Sequence, residues 1–183
     1  MRSTWVACVV LCCACRTVFS AMDSEPLLVA RITGDVVVNF KGIAIFEVTP
    51  RPAPINLTVF AHPVPYSGET VLVIWNEMDM PQPGTYEVGP AQAHPAANKG
   101  FYALYSAPRP FWKSYVSHKG RVTIRELNAN RITGSFRFVA KSYCEHPGMG
   151  DCTPSIVRPG APAVAVEGTF SAVRAKPQSQ VPR

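Results

Sequence analysis

Apolar and polar residues alternate along this chain with a period of two, and glycine, proline, asparagine or aspartate interrupts them about every ten residues. That period belongs to a strand with one buried face, and no stretch repeats at the 3.6-residue spacing of an amphipathic helix. INLTVFAH (55–62) puts Ile55, Leu57 and Val59 on one face and Asn56 and Thr58 on the other. RVTIREL (121–127) sends Val122 and Ile124 inward and Arg121, Thr123 and Arg125 outward. Strands are predicted over 27–33, 35–40, 43–49, 55–61, 70–75, 101–106, 120–127, 131–142 and 163–174. A chain of 183 residues holds one good core and not two. The expected fold is therefore all-β, a single-domain antiparallel sandwich or barrel of eight or nine strands. Residues 80–100, rich in Pro, Gly and Ala, read as a long loop, and the 18 prolines suit short elements joined by irregular connections.

The ends of the chain read differently from its middle. Residues 1–20 carry Arg2, an apolar run from Trp5 to Cys15 and small residues before Asp23, the layout of a secretory signal. The run is too short to span a bilayer, and no other segment is long or apolar enough to do so. The alternative is a lipoprotein signal in which Cys15 becomes the lipidated N-terminus; Cys12 and Arg16 fit that pattern poorly. The β domain is expected over 21–175, with a disordered tail at 176–183 that has no apolar face. Export places the mature protein in the periplasm or outside the cell. Losing Arg2 and Arg16 lowers the net charge by two from +6, to +4. That modest excess suits anionic envelope surfaces and does not call for nucleic acid.

A hairpin is the best-defined unit. GRVTIREL and RITGSFRFVAKSY flank Asn128-Ala129-Asn130, where asparagine tolerates the backbone of a tight turn. In its second strand Ile132, Gly134, Phe136, Phe138 and Ala140 share a face. The Gly, Ser or Thr, Phe pattern of ITGSFRFVAK (132–141) returns in VEGTFSAVRAK (166–176) with the same parity. A strand glycine lets a neighbouring aromatic ring lie over bare backbone. This combination of signal, G-x-V-x-I strand, short turn, I-x-G-[ST]-F-x-F and closing V-x-G-T-F-x-A resembles small uncharacterised secreted β-proteins and lipoproteins of bacteria, over about residues 115–175. The resemblance implies a secreted β fold and brings no catalytic residues with it.

The densest chemistry is CEHPGMGDC (144–152). A zinc site would draw on Cys144, His146, Asp151 and Cys152, yet seven residues separate the cysteines and no second ligand pair exists. The spacing also fails the C-x-x-C pattern of redox centres. In an oxidising compartment Cys144 and Cys152 are expected to form a disulfide across the loop. His62, His94, His118 and His146 show no ligand spacing, and Met78 and Met80 share a strand face more simply than they bind copper. No metal or other cofactor is expected. No nucleophile elbow occurs, so no enzyme is expected; a hydrolase using two of the scattered acids is a remaining alternative.

Two surfaces remain. Arg121, Arg125, Arg131 and Arg137 fall on the outward side of the hairpin and are the candidate anion-binding groups. Tyr102, Trp112 and Tyr115, in the aromatic-rich stretch 100–118, are candidates for stacking on a ligand. The leading expectation is a non-catalytic exported module that binds an anionic envelope polymer, a lipid or another exported protein. The alternative is a small-ligand barrel with an apolar cavity lined by the 101–115 aromatics.

Overall fold

Each strand's backbone groups must find partners, and here a ring satisfies them without leaving an edge. In the computed structural model the described residues are 26–49, 57–63, 71–76, 80–90, 100–107, 113–144, 157 and 159–175. The expectations for the signal with Cys15, for Trp112, for Cys152 and for the tail lie outside them, as does the side chain of Cys144. Nine strands run β1 (Leu27–Gly34), β2 (Val38–Val48), β3 (Leu57–Pro63), β4 (Leu72–Asn76), β5 (Gly84–Val88), β6 (Phe101–Ser106), β7 (Ser114–Leu127), β8 (Arg131–Cys144) and β9 (Ala163–Arg174). They close as one barrel in the order β1-β2-β3-β4-β6-β5-β7-β8-β9.

The barrel is antiparallel except at two forks. Beyond the start of β1, β2 meets β9 directly in parallel at Ile45–Val173 and Phe46–Arg174. β5 enters between β6 and β7, touching β6 in parallel only at Val88–Phe101. Above that entry β6 and β7 pair with each other. Ser117 stitches the second fork: its hydroxyl donates to the Gly89 carbonyl at 2.7 Å and accepts from the Ala103 amide at 3.0 Å.

The inward faces follow the alternation. Leu57 and Val59 of β3, Val122 and Ile124 of β7, and Ile132, Phe136, Phe138 and Ala140 of β8 are all buried in the core. The two Gly-x-Phe strands meet in a reciprocal fit. Gly134 lies opposite Phe170 and Phe136 opposite Gly168 across β8 and β9. A Cβ on Gly134 would come 2.6 Å from the Phe170 ring, and one on Gly168 would come 2.7 Å from the Phe136 ring. Each ring thus covers the other strand's glycine, and the rings stack with centroids 6.3 Å apart.

Three strand expectations are corrected. The predicted 35–40 and 43–49 are one strand, because Gly42 is an interior position under the Phe40 ring and not a break. The predicted loop 80–100 contains β5, whose alternation, half-buried Tyr86 and buried Val88 between exposed Thr85 and Glu87, is too short to stand out from the Pro- and Gly-rich residues around it. β7 starts at Ser114 and not at 120, because bulges at Ser114/Tyr115 and Ser117/Lys119 break the period of two.

Candidate functional site

The outer face of the β7–β8 hairpin carries the expected cations, but the register divides them. Arg121 and Arg137 stand directly opposite each other. Arg125 sits in the bulge between Ile124 and Glu126, and half-buried Arg131 lies at the start of β8 opposite Val173. The four arginines are therefore not one patch: Arg125 and Arg131 belong to the turn end of the hairpin, beside Glu126. In their place the register brings Lys119 and Lys141 to the same outward side as Arg121 and Arg137, one or two outward positions further along. Outward neighbours on one strand are roughly 7 Å apart, within reach of long side chains. Sequence reading missed this grouping because it began the strand at 120, short of Lys119, and because nothing in the sequence marks the bulge at Ile124/Glu126 that takes Arg125 off the ladder.

Glutamates flank the arginine pair. Glu87 of β5 lies opposite Arg121, and Glu167 of β9 lies opposite Arg137, with Arg31 of β1 beyond it. Arg137 Nε is 3.9 Å from Glu167 Oε2, with both side chains more than half exposed, so this pair is loose and solvent-screened. Arg121 and Arg137 keep their charge facing solvent.

The aromatic candidates are placed otherwise than a ligand platform requires. Tyr102 is 2% exposed and Tyr115 is fully buried, so neither ring is open to a sugar arriving from solvent. Tyr102 packs against Trp75 at 5.7 Å, and Tyr115 stacks on Tyr105 at 5.8 Å. Phe101, Tyr105 and Tyr115 belong to the filled core, because inward positions of a barrel this size are occupied by side chains.

Tyr115 instead closes one end of the barrel. Its hydroxyl donates to Asp35 Oδ2 at 2.6 Å, and Lys113 Nζ reaches the same oxygen at 2.9 Å. Asp35 follows Gly34, whose φ of 118° turns the chain out of β1, and the Asp35 amide donates to the Ala163 carbonyl. The Tyr115 hydrogen bond, then that of Lys113, holds the Asp35 carboxyl below its ordinary value. Next to it the Tyr105 hydroxyl is buried without a hydrogen-bond partner among the described residues, and burial pushes its pKa up to about 12. A carboxylate fixed in its charged form by two donors ties strands together and is a poor proton donor at neutral pH.

At the opposite end, where β9 finishes, the described residues leave a half-open cleft of about 310 Å³, lined by Phe46, Val48, Met80, Leu127 and Arg174 among others. Sequence reading found none of these as a group, since they come from four separate segments. Among the described residues no three His, Cys, Asp or Glu side chains come together as a metal site, and no helix is long and apolar enough to cross a membrane. No protein-family model, no curated protein and no solved structure matches the chain.

Proposed function

We propose that the chain is an exported, non-catalytic binding module whose outer β7–β8 face holds the phosphates or carboxylates of an anionic envelope polymer or surface. The observation that carries this reading is the direct opposition of Arg121 and Arg137, with Lys119 and Lys141 on the same side. Like charges directly opposite one another on neighbouring strands are unfavourable by themselves. Two guanidinium forks side by side suit a bridging anion, which neutralises both and accepts bidentate hydrogen bonds. The flanking glutamates fix the edges of the patch and leave its centre positive.

Retention on an anionic glycan matrix and on phosphatidylglycerol vesicles tests the reading, with the salt concentration varied. The double variant Arg121→Glu/Arg137→Glu is expected to lose retention and its salt dependence, while Arg125→Glu/Arg131→Glu loses little. Retention that ignores salt, or that survives the first double variant, overturns the reading. The two matrices separate a polymer from a lipid surface.

A further inference from the structure

The end of the barrel where β9 finishes holds a small apolar cleft with ordered walls. Phe46 lies beneath it as a fully buried core residue, and Val48 and Leu127, half-buried against that core, carry its apolar surface. Its walls are held in place. The Tyr86 hydroxyl donates to the Gln82 carbonyl at 2.7 Å and accepts from the Gln82 amide at 2.9 Å, fixing the segment that carries Met80. On the other side Asn128 Oδ1 accepts from the amides of Asn130 and Arg131, which fixes the hairpin turn. Arg174 is anchored by its amide to the Asn130 carbonyl, and Phe46 by its carbonyl to the Ala175 amide. The cleft is thus preformed, a condition that lowers the cost of ordering on binding.

One charged group stands at its rim. The exposed Arg174 guanidinium makes only a long 3.5 Å contact, to the Ala129 carbonyl, and no ion pair with any described residue. An apolar floor with one guanidinium fork at the edge is complementary to a molecule with an aliphatic tail and a planar anionic head. The volume of about 310 Å³ is at the small end of ligand sites, which suits one aliphatic chain. We propose that this cleft binds a single-chain amphiphilic carboxylate of the medium-chain fatty-acid class, the tail lying on Val48, Leu127 and Met80 and the head on Arg174. The site is separate from the β7–β8 face and does not depend on that reading.

Calorimetric titration of the full chain with sodium decanoate below its micellar concentration tests this, with decanol as the neutral match. Decanoate is expected to bind at one site per chain, about tenfold more tightly than decanol. Arg174→Gln is expected to erase that preference, and Leu127→Glu to abolish binding of both. If Leu127→Glu does not fold, Ala129→Trp at the exposed rim serves as the blocking variant. Arg121→Glu/Arg137→Glu is expected to leave decanoate binding unchanged. Absence of saturable binding, equal affinity for decanoate and decanol, or full decanoate affinity in Arg174→Gln overturns the proposal; dependence on Arg121 and Arg137 assigns the binding to the outer face and overturns it equally.

Discussion

At the two ends of β9 a charged group is used in opposite ways. Where β9 begins, the Asp35 carboxylate is met by a hydroxyl and an ammonium, and the barrel end is tied shut. Where β9 finishes, Arg174 borders an apolar cleft and meets no carboxylate among the described residues. A charge consumed by its own protein contributes stability, and a charge left unmatched beside an apolar hollow is available to a ligand. The matched charge and the unmatched one are separated by the length of one strand.

The sharpest way to break this contrast is truncation at each end. Tyr115→Ala at the tied end removes a fully buried ring and is expected to cost about 4 kcal/mol in urea unfolding. Leu127→Ala at the open end removes a half-buried side chain and is expected to cost about 1 kcal/mol. Equal losses would mean that the cleft is as much a part of the core as the tied end.

The stacked tyrosines sharpen the contrast further. Tyr115→Phe is expected to lose about 1–2 kcal/mol, since Asp35 forfeits its shorter hydrogen bond. Tyr105→Phe, one ring away, is expected to be neutral or stabilising, because its buried hydroxyl has no partner to lose among the described residues. The two also part in their pH dependence. Asp35 has its pKa depressed by folding, so its contribution is present above its ordinary 3.8 and is lost as pH falls below that value, through the folded-state pKa. Tyr105 has its pKa raised by folding, so stability is full below 10 and is lost as pH rises from 10 towards about 12. Asp35→Asn should flatten the acid limb and Tyr105→Phe the alkaline limb of a melting-temperature profile. A variant that moved the wrong limb would show that these groups do not govern it.

The smallest expected effect is at Arg174. Its replacement by Gln should leave stability within about 0.5 kcal/mol of the parent, since the exposed guanidinium forms no ion pair with any described residue. A larger loss would mean that Arg174 holds the end of the barrel as Asp35 does.

Most of the barrel was legible because its long strands alternate faithfully. Val122, Ile124, Ile132, Phe136 and Phe138 announce their inward face by parity alone. What could not be read was set by non-local partners. Gly42 looks like a break until Phe40 is seen lying on it. Gly84–Val88 turns only Tyr86 and Val88 inward and becomes a strand because β7 offers it a ladder. The basic run was visible in the sequence, but the opposition of Arg121 to Arg137 required the register of β7 on β8, bulges included. The cleft had no sequence signal at all, since Phe46, Met80, Leu127 and Arg174 are neighbours only after the ring has closed.

The reciprocal glycines and phenylalanines of β8 and β9 also act as an alignment check. Sliding one strand by two residues preserves every inward and outward assignment, so hydrophobic patterning alone cannot detect the error. Slid one way, Gly134 would face Gly168 and leave two bare stretches of backbone side by side; slid the other, Phe136 would face Phe170 and the rings would compete for one space. Only the observed pairing lets both large residues and both small ones fit, so the spacing of four residues rejects the mismatch that a two-letter code of apolar and polar would accept.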